Sequence, residues 1–296
     1  MTYGDDLEDD FVPDDLVVLS GDEEESSEGH ESTPIGEPES TAAQSASAKA
    51  DKKRKRREHE RQKFKERKKQ KLAAAANDSE AAEHSSITDQ PPHALAEYLA
   101  AFQSKTFASV MSPLELEDIR IPVDSIADTT MWTGPRTLDN LVDFIIKVLP
   151  NLRLRLSQKS KTNGAPTLLF VSGAALRVVD VTRVLKDKKL RGEKGAEVAK
   201  LFAKHFKLSE HVTYLRRTKI GSAAGTPGRI GKLLCETDAL AVNALSHIIL
   251  DVSFRDSKKR NMLDIPETRD EVFKMVLGAP KVVEGIKEGK IQVVLF

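Results

Sequence analysis

The sequence has a single cysteine, no long apolar run and no secretory signal, and each absence excludes a class of protein. Cys235 stands alone among 296 residues, so an intramolecular disulfide is excluded. No apolar stretch approaches the roughly 18 residues that would cross a bilayer. Residues 1–6 have neither the basic start nor the apolar stretch of a secretory signal. We therefore expect a reduced, soluble, intracellular protein with no membrane partner.

The spacing typical of metal ligands is also missing. The seven histidines are dispersed along the chain, and Cys235 has no cysteine neighbour. A lone histidine or cysteine more often packs or is solvated than binds a metal. We predict no metal site and no cofactor.

The net charge is zero because blocks of opposite sign cancel. Residues 5–39 contain 15 acidic residues and no Lys or Arg, whereas residues 49–71 contain 14 basic residues and four acidic ones. The acidic block cannot bury enough apolar surface to offset its ordering entropy, so we expect it to be disordered. The basic block has the opposite charge and suits an anionic partner.

One apolar island interrupts the acidic block. Residues 14–25 read Asp-Asp-Leu-Val-Val-Leu-Ser-Gly-Asp-Glu-Glu-Glu. A short β-prone run flanked by acids is typical of peptides that add a strand to the edge of a partner's sheet, as SUMO-interacting peptides do. The alternative is an acidic tail with a few aliphatic residues.

The basic block is compatible with a helix, since it contains no Gly or Pro and its Glu residues lie three or four positions from basic partners. Its apolar content is nearly confined to Phe64 and Leu72, so no face could dock on a core. Such runs attract phosphate backbones and act as nuclear import signals, although a plain solvated helix is the alternative. The residues that carry this prediction are Lys52, Lys53, Arg54, Lys55, Arg56, Arg57, Lys68 and Lys69.

Composition divides the chain into a disordered acidic tail (1–48), a basic and helical segment (49–76), a linker (77–93) and a folded domain (94–296). In the folded domain, apolar runs at 167–173, 246–252 and 291–296 predict buried strands. Helical spacing predicts helices over 95–102, 138–149, 174–185, 227–235 and 266–277. The alternation predicts an α/β fold in which a single parallel sheet carries helices on both faces.

Two further elements are predicted between residues 198 and 216. One apolar stripe, which contains Val198, Leu201, Phe202, His205 and Phe206, favours a helix, and the β-prone run 211–216 favours a short strand. Ligands of parallel sheets bind at the carboxyl ends of the strands. We therefore expect functional residues just after Val171, Arg216 and Leu250.

The run Gly225-Thr226-Pro227-Gly228-Arg229-Ile230 resembles the T-P-G-R element of DEAD-box RNA helicases. In that family the element precedes a strand ending in D-E-A-D, and here an apolar strand ends at Asp251. A helix that begins at Pro227 would present free N–H groups and a positive dipole end to a phosphate, with Arg229 adding charge. Thr226, Gly228 and Arg229 are therefore candidate RNA contacts, against the alternative that Arg229 is an ordinary surface residue.

Gly173 and Ala174 form a second candidate contact. They follow an apolar strand at the position of the helicase P-T-R-E-L-A segment, and their backbone amides suit a phosphate, although only the strand, a Leu and the small residues match. Basic clusters at 216–219 and 258–260 are expected near the same edge, where they extend an RNA path or lie in solvated loops. Trp132 either lies near a nucleotide base or packs a loop onto the core.

The departures from the helicase pattern argue against catalysis. A helicase needs a phosphate loop, G-x-x-x-x-G-K-[ST], and neither 133–137 nor 161–164 has that spacing. The D-E-A-D position reads Asp251-Val252-Ser253-Phe254, so Val252 replaces the acid that would orient the attacking water. The strand 291–296 resembles the one leading into the S-A-T motif, but neither that motif nor a second core domain follows. We predict no catalytic residue; an atypical ATPase is the alternative.

These features, together with Ser-Pro-Leu-Glu-Leu-Glu-Asp-Ile at 112–119, resemble the Cms-one family of proteins linked to the small-subunit processome. The resemblance covers roughly residues 90–296 and implies a nuclear, nucleolar role in ribosome biogenesis without established catalysis. It also implies RNA partners, either pre-rRNA or snoRNA-containing particles, and ribosome assembly proteins. A chromatin or histone-binding adaptor that acts through the acidic tail is the alternative.

Overall fold

The computed structural model describes residues 87–158, 160–193 and 195–296. The acidic tail with its apolar island, the basic segment and most of the predicted linker lie outside the described residues. Their predicted disorder and helicity therefore stay predictions. No helix in the described part of the chain has both the length and the apolar character needed to span a membrane.

Five parallel strands form one sheet in the order β2-β3-β1-β4-β5. The strands are β1 (Leu168–Val171), β2 (Glu197–Leu201), β3 (Ile220–Gly225), β4 (His247–Leu250) and β5 (Gln292–Leu295). Every residue of β1, β3 and β4 is buried, as expected of a parallel sheet covered on both faces. The predicted α/β fold with a single parallel sheet is confirmed.

Helices cover both faces of the sheet. They are α1 (Pro92–Phe107), α2 (Pro113–Asp118), α3 (Leu141–Val148), α4 (Pro150–Leu156), α5 (Ala175–Leu185), α6 (Lys188–Arg191), α7 (Leu208–Arg217), α8 (Pro227–Cys235), α9 (Pro266–Asp270) and α10 (Pro280–Lys287). A π-helical stretch, Glu271–Val276, continues α9. Side chains of β1 alternate between two apolar clusters: Leu169 and Val171 pack with α1, α8 and α10, and Leu168 and Phe170 pack with α3 to α5.

Two element predictions are wrong. Residues 197–201 form a strand where a helix over Val198 to Phe206 was predicted, and residues 208–217 form a helix where a strand over 211–216 was predicted. Short apolar runs such as that of β2 fit either period, and only burial on both sheet faces decides for the strand. In α7, Leu208, His211, Val212 and Leu215 lie on one helical face, and this spacing outweighs the β propensity of Val, Thr and Tyr.

The strand β3 was not predicted at all. Its sequence, Ile-Gly-Ser-Ala-Ala-Gly, has little β propensity, but small residues suit a central strand that is fully buried. Since β3 begins at Ile220, residues 216–219 precede it and lie at the amino edge of the sheet. The prediction that the basic cluster 216–219 lies near the carboxyl edge is therefore wrong.

Candidate nucleic-acid interface

The carboxyl ends of three neighbouring strands bring the motif residues together. The backbone N–H of Ser172, after β1, donates to Gly225 at the end of β3 (3.0 Å), and that of Asp251, after β4, donates to Val171 (2.9 Å). Gly173, Thr226 and Asp251 therefore lie on adjacent turns of one edge. This is the edge at which parallel sheets bind ligands.

Gly173 and Ala174 lie at the surface of this edge. Gly173 is exposed, and Ala174 is half-buried at the N-cap of α5, where its side chain makes no capping hydrogen bond. The first backbone amides of α5 thus face the edge with no side-chain cap. Their contact with a phosphate stays a prediction.

The T-P-G-R helix begins as predicted, but an internal carboxylate already lies at its N-terminus. Thr226 is the N-cap of α8 and makes no side-chain capping bond. The backbone N–H of Gly228 donates to Glu271, the first residue of the π-helical stretch. A Cβ on Gly228 would overlap the Oε1 atom of Glu271, so a larger residue here would displace this carboxylate from the helix N-terminus. Burial raises the pKa of Glu271, and the hydrogen bond from Gly228 opposes the shift.

Arg229 lies inside the domain, with 8% of its surface exposed. Its Nη2 atom donates to the Phe206 carbonyl (2.8 Å), and its Nη1 atom lies 3.3 Å from Nδ1 of His211. Burial and the Arg229 charge lower the pKa of His211 to about 4, so this ring is neutral at physiological pH and Nδ1 accepts from Arg229. A phosphate contact by Arg229 would require the side chain to leave these partners, and that contact stays a prediction.

Asp251 is buried, and both of its carboxylate oxygens are engaged. Oδ2 accepts from Ser172 Oγ (2.9 Å) and from Arg177 Nε (2.9 Å), and Oδ1 accepts from Arg177 Nη2 (3.2 Å) and Ser253 Oγ (3.3 Å). The two bonds from Arg177 form a bidentate pair, which is the strong geometry for Arg and carboxylate. The carboxylate that a helicase would offer to a metal is thus neutralised by a side chain of α5.

The remaining residues at the D-E-A-D position, 252–254, contact Phe296 and Arg177. Val252 and Ser253 both donate backbone N–H groups to the Phe296 carbonyl, at 2.8 and 3.0 Å. The Phe254 ring lies 5.2 Å from the Arg177 guanidinium carbon, within the range of a cation–π contact. The tetrapeptide supports Arg177 and the end of β5.

In the segment where a phosphate loop would lie, Arg136 is buried and bonded to the protein itself. Ile126 forms an isolated parallel bridge to Val293 of β5, and residues 128–140, which end in a 3-10 turn, lead from this bridge to α3. Arg136, with 5% of its side chain exposed, donates to the carbonyls of Thr88 (2.6 Å) and Leu295 (3.2 Å) and pairs with Asp89. The cation thus binds carbonyls of the protein itself.

Trp132, which lies within residues 128–140, packs edge-on against Phe144 of α3 with ring centroids 5.6 Å apart. This contact favours the packing alternative for Trp132.

The residues at this edge do not fit a nucleotide with its metal. Arg136 donates to backbone carbonyls, and Arg177 pairs with Asp251. The described residues contain no cluster of three His, Cys, Asp or Glu side chains that could hold a metal ion. Sequence reasoning identified Asp251 but missed Arg177, Arg136 and Glu271. Each lies far from its partner in sequence, so no local spacing marks the pair.

Comparisons with known proteins identify relatives of the whole folded domain. Residues 37–296 match a family model, CMS1, described as a U3-containing 90S pre-ribosomal complex subunit. The chain is 38% identical over 202 residues to Protein CMS1 of Chaetomium thermophilum, covering 68% of this chain and 78% of that protein. It is 34% identical over 207 residues to Protein cms1 of Schizosaccharomyces pombe, covering 70% of each. For Protein CMSS1 of Homo sapiens the identity is 29% over 188 residues, covering 63% of each.

Solved structures of DEAD-box proteins are similar in fold only. A DEAD box protein from the hyperthermophile Methanococcus jannaschii is 19% identical with a TM-score of 0.35, covering 55% of this chain and 37% of that chain. The yeast DEAD-box splicing factor Prp28 is 16% identical with a TM-score of 0.32, covering 58% and 35%.

Proposed function

Because the chain belongs to the CMS1 family, we propose that it is a non-catalytic ribosome biogenesis factor that associates with U3-containing 90S pre-ribosomal particles and contacts their RNA. The family match over residues 37–296 carries the pre-ribosomal part of this proposal. Such particles form in the nucleolus, and the basic segment 52–57 suits nuclear import. The proposed location is therefore the nucleus and its nucleolus, with ribosome assembly proteins as partners.

The ion pair between Arg177 and Asp251 supports the proposal that the protein is not an ATPase. ATP hydrolysis by a helicase requires a metal held by carboxylates, a Lys on the phosphates and a group that orients water. Here the one carboxylate is paired with Arg177, Arg136 binds carbonyls of its own chain, and Val252 is apolar. A protein with this edge retains the helicase fold as a binding module.

Two elements are proposed to contact RNA. The basic segment, with Lys52 to Arg57 and Lys68 to Lys69, supplies sequence-independent attraction to phosphates. Gly173, Ala174 and Thr226 offer backbone amides and a hydroxyl at the carboxyl edge of the sheet, and Gly228 and Arg229 follow in the first turn of α8, where Arg229 is buried. Contacts of this kind position a protein on RNA without reading its sequence.

Crosslinking of RNA to the tagged full chain in cells tests the proposal. We expect U3 and pre-rRNA sequences to be enriched. Replacing the eight basic-segment residues Lys52, Lys53, Arg54, Lys55, Arg56, Arg57, Lys68 and Lys69 by Gln should remove most of the crosslinks and the nuclear accumulation. A chain in which residues 49–71 are reordered with the same composition is the control: it should retain the RNA attraction, which depends on charge. If the unaltered protein enriches neither RNA, the proposal is wrong.

A further inference from the structure

The positive charge of the folded domain is concentrated in one section of the sequence. Residues 147–219 contain 18 Lys and Arg against five Asp and Glu, whereas residues 87–146 contain three against nine and residues 220–296 contain 11 against 10. Solubility does not require such segregation. A one-sided excess of this kind is typical of a surface that attracts a polyanion.

The topology places a subset of these cations at the amino edge of the sheet, opposite the edge with the helicase-like motifs, whereas Arg177, Lys204 and Lys207 lie towards the carboxyl edge. Lys188 and Lys189 lie in α6, which precedes β2, and Arg217 and Lys219 precede β3. The strand order places β2, β3, β1 and β4 side by side. Because neighbouring strands are about 4.8 Å apart, these four entry points span roughly 14 Å.

Hydrogen bonds join the cationic segments to one another. Arg153 Nε donates to the Lys189 carbonyl (3.3 Å), and the Glu197 N–H donates to the Lys219 carbonyl (3.2 Å). Arg155 Nη2 donates to the Ala244 carbonyl (2.9 Å), just before β4. The amino-edge cationic surface thus comprises the exposed residues Arg153, Arg155, Lys188, Lys189, Arg217 and Lys219.

Most of this charge is not neutralised within the domain. Nearby ion pairs join Arg191 to Glu197 and Arg216 to Asp238, but no carboxylate in the described part of the chain pairs with Lys188, Lys189 or Lys219. Leu154 is the one large apolar side chain exposed between these cations. Protein interfaces have apolar cores and are depleted in Lys, whereas binding of a phosphate backbone needs only charge. The surface therefore fits RNA better than a protein.

We propose that the amino-edge cationic surface is a second RNA-backbone site, on the edge of the sheet opposite Gly173 and Thr226. The inference rests on the proposed RNA association and deepens it, because it assigns to the domain two RNA-facing edges. A domain of this kind holds two RNA segments, or two parts of one segment, on opposite sides of the sheet.

Two matched lysine pairs separate the two edges. In the full chain with Gln at positions 52–57, 68 and 69, one variant carries Lys188→Gln and Lys189→Gln at the amino edge, and the comparison variant carries Lys258→Gln and Lys259→Gln after β4. Both pairs are exposed and have no carboxylate partner among the described residues. The probe is a labelled single-stranded RNA of about 20 nucleotides, titrated by fluorescence anisotropy at several salt concentrations.

We expect the variant with Lys188→Gln and Lys189→Gln to bind the RNA roughly tenfold more weakly at low salt. The log–log slope of its RNA affinity against salt concentration should be shallower by about 1.5. Arg217→Gln with Lys219→Gln should do the same, which guards against a folding defect of one variant. Unchanged binding in both amino-edge variants overturns the inference.

If only the variant with Lys258→Gln and Lys259→Gln loses affinity, RNA follows the carboxyl edge and the proposed function stands. If the Gln-substituted parent binds no RNA, the proposed contact of the domain with RNA fails too. If RNA binding persists but a peptide of residues 5–39 no longer binds the amino-edge variants, the surface serves a protein segment instead.

Discussion

Asp251 is completely buried at the end of β4, and its charge is balanced by Arg177, whose side chain is 15% exposed. Removing the cation leaves an uncompensated carboxylate in the interior. We expect Arg177→Ala to lower the free energy of unfolding by about 3–5 kcal/mol, the usual cost of breaking a buried pair from one side. Urea unfolding of the full chain, followed by circular dichroism, measures this.

Arg183 provides the matched control for this prediction. It lies on the same helix, is 64% exposed and pairs with Asp180 at 3.0 Å. Exposed pairs contribute about 0.2–1 kcal/mol, so Arg183→Ala should have little effect. Equal losses in the two variants would mean that Arg177 does not balance a buried charge.

Single residues also mark the limit of what the sequence could predict about the site. Asp251 was identified because it follows an apolar strand at the D-E-A-D position. Arg177 lies 74 residues earlier, and its pairing depends on β1 and β4 being neighbours in the sheet. The same holds for Glu271 at the N-terminus of α8, where the sequence suggests a phosphate.

Among the elements, strands that follow clear apolar runs were predicted, and those without them were not. β1, β4 and β5 are continuous apolar runs with turn residues beside them. β2 is short enough to fit a helical stripe, and β3 consists largely of small residues whose burial comes from neighbours on both sides. These errors misplaced residues 216–219, which were expected at the carboxyl edge and lie at the amino edge.

The first turn of α8 yields a prediction that separates two roles of Arg229. Its guanidinium ties α8 to the Phe206 carbonyl and to His211 of α7. We expect Arg229→Ala to lower the unfolding free energy by about 1–3 kcal/mol, since it leaves the partly buried Phe206 carbonyl without its donor. If joining the two helices is its whole role, RNA affinity and its salt dependence stay unchanged for the folded fraction.

The RNA titration of Arg229→Ala also shows whether Arg229 contacts a phosphate. A log–log salt slope that becomes shallower by about one unit would assign a phosphate contact to Arg229, as its place in the T-P-G-R element suggests. Thr226→Ala is the companion variant, because its hydroxyl makes no capping bond in the folded domain.

Two buried histidines make the stability of the whole domain depend on pH. Burial, with a nearby Arg in each case, lowers the pKa of His211 and of His247 to about 4. The unfolded chain takes up protons at these rings near pH 6.5, and the folded protein does so only near pH 4. Stability is therefore full above pH 6.5 and falls as the pH decreases towards 4.

Thermal unfolding between pH 7 and pH 5 checks this. The midpoint temperature should fall over this interval and fall less in the variant with His211→Gln and His247→Gln. His93→Gln, at an exposed position of α1, is the control and should follow the unaltered protein. A parallel decline in all three proteins would contradict the assignment to the buried rings.

For the whole molecule, the central proposal is that the chain does not hydrolyse ATP, and it rests on the internal contacts of Arg177 and Arg136 at the carboxyl edge. The most direct test is ATP turnover by the purified full chain with Mg²⁺ and saturating single-stranded RNA. We expect no hydrolysis above the background without protein, because Asp251 is paired with Arg177 and Arg136 binds carbonyls of its own chain. RNA-stimulated turnover of about one per second or more, the range usual for enzymes, would contradict the account.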